Sequence, residues 1–209
     1  MMRIESVAAQ PDRAGRHRVV FEDGSVMRLY KQTVQDFGLY SGLELSEKEL
    51  SDLREAAGAM SAKMRAVRII AASSVSKRDL EQRLIRKGEN PTQAKEAVDW
   101  MTQLQLVDDR KTAEQVIQKC IQKGYGISRA KQALYEKQIP KEYWDDALTD
   151  YPDQTDAIVA FLQSHLKEAK DEKQLRKVID ALLRRGHSYS QIRRALEQFS
   201  SEIDDFPEG

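Results

Sequence analysis

Three histidines and one cysteine are the residues best suited to acid–base, metal or nucleophilic work in this chain of 209 residues. His17, His165 and His187 fall in three separate segments, and none has a second His or a Cys at metal-ligand spacing. His165 lies three residues after Leu162 and beside Leu166, so it reads as a histidine at the edge of a core. His187 follows Gly186 at a helix end, where a cation suits the helix dipole. Cys120 falls on the apolar stripe of its helix and reads as a buried structural thiol rather than a nucleophile. As a single cysteine it forms no internal disulfide, which points to a reducing compartment. Gly124-Tyr125-Gly126 begins like a phosphate-binding loop, but Arg129 stands where the next glycine is required and no strand precedes it. The carboxylate pairs Asp108-Asp109, Asp145-Asp146 and Asp204-Asp205 are neighbours in sequence, and neighbours diverge on a helix. They read as helix caps and solvated charge. No catalytic constellation, metal site or cofactor site is expected, and the chain is read as a non-enzyme.

The cations are the remaining chemistry. Twelve of them are the candidates for binding a partner or a nucleic acid: Lys77, Arg78, Arg83, Arg86, Lys87, Arg129, Lys131, Lys137, Arg176, Lys177, Arg184 and Arg185. They fall in three segments that match one another. Ser76 to Val98 carries Leu80, Leu84, Lys87-Gly88, Ala94 and Val98. Gly126 to Leu148 carries Ala130, Leu134, Lys137-Gln138, Trp144 and Leu148. Gln174 to Leu196 carries Val178, Leu182, Arg185-Gly186, Ile192 and Leu196. Gly88, Gln138 and Gly186 end the first helix of each segment at intervals of 50 and 48 residues. A basic residue precedes each of them. Each segment also has an amphipathic helix in front, over 60–73, 110–123 and 155–169. Their apolar stripes are Met60, Met64, Val67 and Ala71; Ala113, Val116, Ile117, Cys120 and Ile121; and Ile158, Phe161, Leu162 and Leu166. The pattern predicts a mainly α fold of three tandem three-helix modules, stacked into an elongated, curved array.

The first thirty residues differ. Arg18 to Phe21, an Asp23-Gly24 turn and Val26 to Tyr30 predict a β-hairpin, with Ile4 to Ala8 as a further short strand. An isolated hairpin does not hold itself together, so this cap must pack on something helical. Ser46-Glu47-Lys48-Glu49 is a capping box that opens the helical region. The expected organisation is a cap with a short helix over 1–45 and a linker helix with the first module over 46–107. The second module follows over 108–152, the third over 153–200, and an acidic tail over 201–209. The N-terminus lacks the apolar run of a signal peptide, and the longest apolar stretch, Ile69 to Ala72, is too short to span a membrane. A cytoplasmic monomer is expected.

Lys plus Arg equals Asp plus Glu at 34 each, so any basic surface must come from segregation of charge. The middle helix of each module is net positive and the following helix, over 92–107, 141–150 and 190–205, is net negative. Two readings compete. Lys87, Lys137 and Arg185 complement the C-terminal ends of their helices, as helix-end cations commonly do. That does not cover Arg78, Arg129 and Arg176, earlier in the same helices. Repeated three times, such segregation lays a positive stripe along one side of the array, suited to an acidic protein surface or a phosphate backbone. Exposed aromatics at Tyr125, Tyr135 or Tyr189 would favour a structural adaptor instead, although packing at module interfaces is the expected place for them.

Over residues 60–200 the sequence resembles the RecX family of bacterial RecA regulators. The resemblance lies in Ser76-Lys77-Arg78-Asp79-Leu80-Glu81-Gln82-Arg83-Leu84-Ile85-Arg86-Lys87-Gly88, in Leu106-Val107-Asp108-Asp109, and in Lys123-Gly124-Tyr125-Gly126-Ile127-Ser128-Arg129 with Leu134 and Lys137. Thr112-Ala113 departs from an aromatic-Ala pair frequent in the family. The strand-rich start and third module are similar to the longer form found in many Gram-positive bacteria. The resemblance implies tandem three-helix repeats that lodge in the groove of the RecA–DNA filament. There they modulate filament assembly, strand exchange and ATP hydrolysis, usually by inhibition, in DNA repair and the SOS response. It also implies contact with single- or double-stranded DNA. A helical-repeat nucleic-acid-binding module that acts without RecA is the alternative.

Overall fold

A computed structural model describes residues 1–166 and 172–204. The chain divides into two compact units, Met1–Val107 and Asp108–Gly209. Most of it is helical, with a small antiparallel sheet at the N-terminus.

In the first unit, β1 (Met2–Val7), β2 (Arg16–Phe21), β3 (Val26–Tyr30) and β4 (Glu44–Leu45) form a sheet in the order β3-β2-β1-β4. The expected hairpin is present, and Gly24 supplies the positive φ of +79° that its turn needs. The cap is nevertheless a four-stranded sheet, because Glu44–Leu45 pairs with Met2 and Arg3 after a short helix, α1 (Lys31–Asp36). Two residues carry no alternation, so β4 leaves no sequence signal.

Ser46 caps α2 (Glu47–Ala72), with the Glu49 amide donating to Ser46 Oγ at 3.2 Å and the Ser46 amide donating to Glu49 Oε2 at 2.8 Å. This one helix of 26 residues replaces the expected linker helix and separate first module helix. Its early turns bury Leu50 and Leu53 under Ile4, Val19, Phe21, Leu29 and Leu45 of the sheet. Its later turns serve a second core, with α3 (Lys77–Arg86) and α4 (Pro91–Gln103).

The stripe expected at Met60, Met64, Val67 and Ala71 is displaced. Ala62, Ala66 and Ile69 are buried, Met60 and Met64 are half-buried, and Val67 and Ala71 are exposed. Ala94 and Ala97 of α4 are fully buried in the same core. Small residues on both helices let the backbones come close, and the larger side chains are left at the edge.

The second unit contains α5 (Asp109–Gln122), α6 (Ile127–Glu136) and a 3₁₀ turn at Lys141–Tyr143 that runs into α7 (Trp144–Leu148). These surround Ala113, Val116, Ile117, Cys120, Ala130, Leu134, Ile139 and Leu148. Then α8 (Thr155–His165), α9 (Glu172–Arg184) and α10 (Tyr189–Asp204) enclose Ile158, Leu162, Val178, Leu182, Ile192 and Phe199. The end of the expected 155–169 helix and residues 205–209 of the acidic tail lie outside the described residues.

The sequence repeat has one structural meaning. Gly88, Gln138 and Gly186 all have left-handed φ, at +90°, +54° and +87°. At each, the next amide bonds back five residues: Glu89 to Leu84, Ile139 to Leu134 and His187 to Leu182. These are Schellman closures, and the accepting leucine is fully buried each time. The motif thus locks the end of every middle helix onto its own module core.

Candidate partner-binding faces on the middle helices

Positions are best compared by counting back from each left-handed residue. Ten before Gly88 stands Arg78 and two before stands Arg86; ten before Gly186 stands Arg176 and two before stands Arg184. All four are exposed. In α6 the same two positions hold Ser128 and Glu136. Arg129, grouped with Arg78 and Arg176 by sequence, is one residue out of register. One residue is about 100° around a helix, so its side chain leaves the face that the other two share. Its Nη1 donates to Glu136 Oε1 at 2.9 Å, and the shared hydrogen bond holds the guanidinium above, and the carboxyl below, their usual ranges. The basic face is therefore strong on α3 and α9 and interrupted on α6.

The remaining candidates separate by their partners. Arg83 Nε donates to the buried Asp79 at 2.9 Å, so its charge is held at the foot of α3. Arg86 reaches the same carboxylate only at 3.9 Å and stays open to solvent. Lys77 and Lys137 are half-buried and engaged, whereas Lys87 and Lys131 are exposed. On α9, Lys177 and Arg184 are exposed, and Arg176 meets Glu172 at 4.0 Å with both side chains more than four-fifths exposed. A pair so solvated contributes little.

Arg185 belongs to a junction inside the second unit. Its guanidinium lies 5.1 Å from the ring centre of Tyr125 and 5.0 Å from that of Phe161, and its Nη2 donates to the Lys123 carbonyl at 2.6 Å. The Gly126 amide donates to the Arg185 carbonyl at 2.9 Å. A Cβ at Gly126 would collide with the Gly186 carbonyl. Arg185 is thus a joint between the second and third modules, and its planar fork suits the stack and the carbonyl together.

His187 corrects the helix-end cation reading. It is 4% exposed, burial pushes its pKa down, and Arg185 nearby adds to that effect. Its Nε2 lies 3.0 Å from the Gly124 carbonyl, which only accepts, so Nε2 carries the proton of a neutral ring while Nδ1 has no partner. His165 is exposed and stacks on Phe161 at 4.0 Å between ring centres, outside the core edge expected for it. Asp108 caps α5 as expected, but Asp109 is buried rather than solvated. Cys120 is buried, which pushes its thiol up and away from the reactive thiolate.

Sequence reasoning missed two features. The residue three before each left-handed position is a large exposed apolar one: Ile85 at 39%, Tyr135 at 67% and Leu183 at 41%. Tyr189 is exposed as well, so only Tyr125 takes the interface role expected of the three tyrosines. The constant offsets carried this signal, because aligning the modules puts Ile85, Tyr135 and Leu183 in one column. The other feature is a group of arginines on the N-terminal sheet. Among the described residues no His, Cys, Asp or Glu cluster is arranged to hold a metal, and no helix is long and apolar enough to cross a membrane.

A family model described as the third three-helix domain of RecX matches residues 155–196, which span α8, α9 and half of α10. A regulatory protein RecX of Streptococcus gordonii is 25% identical over 187 residues, covering 88% of this chain and 72% of its own length. One from Clostridioides difficile is 22% identical over 201 residues, covering 93% of this chain and 94% of its own. A crystal structure of a regulatory protein RecX superposes with a TM-score of 0.65 at 20% identity, over 94% of this chain and all of that one. At that identity the superposition speaks for the fold.

Proposed function

We propose that this chain is a member of the RecX family of regulatory proteins, to which it is similar, and that it binds the RecA–DNA filament and restrains RecA strand exchange and ATP hydrolysis. The observation that carries the reading is the pair of equivalent basic faces on α3 and α9, at Arg78 with Arg86 and at Arg176 with Lys177 and Arg184. Each sits on a rigid helix locked by its Schellman closure, and each exposes guanidinium groups that match carboxylates or phosphates in fork geometry. Ile85 and Leu183 beside them add apolar contact of the kind that interface centres use. In this reading α6 contributes shape through Tyr135 rather than charge.

The test is co-sedimentation with preformed RecA filaments, together with inhibition of strand exchange. Arg78→Glu with Arg86→Glu, and Arg176→Glu with Arg184→Glu, should each weaken both. Full inhibition by the combined variant would overturn the assignment. The alternative, a nucleic-acid-binding module without a RecA partner, predicts naked-DNA binding that falls steeply with salt and is unaffected by RecA.

A further inference from the structure

The N-terminal sheet carries cations that the repeats do not use. β2 and β3 pair so that Arg18 stands directly opposite Arg28 and Arg16 opposite Tyr30. Arg18 and Arg28 are exposed, and neither makes an ion pair among the described residues. Directly opposed side chains stand about 5 Å apart at Cβ, where like charges oppose strand pairing. Arg16 lies two residues along β2, so about 6.6 Å from Arg18 on the same face. The core lies on the other face, under Val19, Phe21 and Leu29, and gains nothing from these arginines.

With Gln10, Pro11 and Asp12, the three arginines line an open cavity of about 250 Å³. Asp12 is the one carboxylate in that lining, and it is already committed. It accepts from the amides of Ala14 and Arg16, both at 2.9 Å, and from the Arg16 guanidinium at 2.9 and 3.1 Å. Arg68 of α2 approaches the same loop, its Nη2 donating to the Ala14 carbonyl at 3.1 Å and the Tyr30 hydroxyl at 3.0 Å. The acidic residues of the hairpin, Glu22 and Asp23, sit at its turn, the opposite end from Arg16. Charge is thus segregated along one hairpin in a chain of zero net charge.

We infer that this face of the N-terminal sheet binds the phosphate backbone of nucleic acid, through Arg18 and Arg28 with Arg16 held in place by Asp12. Two unpaired guanidiniums at strand spacing, reinforced by a third, offer several forked donors to successive phosphates. The cavity is lined by arginines and no aromatic ring, and contacts to phosphate carry no base information, so recognition is independent of sequence. The site extends the function proposed above by placing its DNA contact, but it does not depend on RecA.

The test is fluorescence anisotropy of the full chain with labelled single- and double-stranded oligonucleotides of two unrelated sequences, over about 50 to 200 mM salt. The two sequences should bind alike. Arg18→Gln with Arg28→Gln should flatten the salt slope by about 1.8 on duplex and about 1.4 on single strand, the release expected for two phosphate contacts. The same variant should melt at an equal or higher temperature, since it removes opposed like charges, so a lost contact is distinguished from a lost fold. An unchanged slope overturns the inference, as does a wild-type chain that takes inorganic phosphate but no oligonucleotide. An unchanged slope with weakened filament binding overturns it too, and assigns the face to an acidic protein surface. A slope that falls in a protein that ignores filaments supports this site and refutes the filament reading alone.

Discussion

Gly126→Ala probes the joint within the second unit with a single methyl group. Gly126 has φ of −76°, which any residue adopts, so the substitution adds no backbone strain of its own. The new Cβ would instead stand well inside contact distance of the Gly186 carbonyl, which is backbone and has no rotamer to escape into. The two segments must part. Parting them breaks Gly126 amide to Arg185 carbonyl, Arg185 to Lys123 carbonyl and His187 to Gly124 carbonyl. At about 1 kcal/mol net for each hydrogen bond, with about 1 kcal/mol for the Arg185 stack, the loss is about 3–4 kcal/mol. Native-state hydrogen exchange reads it best, since a multi-module chain need not unfold in one step. The amide at 126, which bonds across the joint, should lose at least about a hundredfold in protection, at about 1.4 kcal/mol for each tenfold. Gly88→Ala is the control, with φ of +90° and open space around its Cβ, so it bears only left-handed strain of about 1–2 kcal/mol. Protection at 126 unchanged to within about 0.5 kcal/mol would refute the close-packed joint, because three hydrogen bonds cannot vanish at that cost.

His187 should make this joint acid-sensitive. Its pKa is lowered in the fold, so the unfolded chain takes up the proton first. Its contribution is whole above the unfolded value of about 6.5 and is lost as the pH falls from there towards the folded value. Thermal melts from about pH 7.5 to about pH 5.5 should show a drop that His187→Gln reduces; equal drops would remove His187 as the cause. Gln105 has φ of +57° and an exposed side chain, so Gln105→Gly should relieve left-handed strain and stabilise the first unit by about 0.5–1 kcal/mol in chemical denaturation. A loss of stability there would refute the strain.

How much of this was legible depends on the range of the interaction. The helix ends at Gly88, Gln138 and Gly186 are local information, because a Schellman closure is completed within six residues by a residue that tolerates positive φ. The buried leucines, the Ser46 capping box and the Asp23-Gly24 turn are local in the same sense. The opposition of Arg18 and Arg28 was implicit in that turn, since a hairpin turn sets its own register. The two-residue strand β4 was not legible, nor was the choice of Ala62 and Ala66 over Met60 and Met64 as the buried side of α2. Both depend on what lies opposite.

By itself, then, the sequence determined the three-helix period, the helix ends and the residue types at each end, because each of these is settled within one or two turns of chain. The tertiary structure alone decided which cations are open to a partner. Arg185 looks like a helix-end charge until Tyr125 and Phe161 close around it. Arg129 looks like a member of the stripe until its register and Glu136 take it away. His187 looks like a cation until burial makes it neutral. The physical reason is common to all three: charge and exposure are set by groups distant in sequence, and the type of a residue says nothing about which neighbours will enclose it.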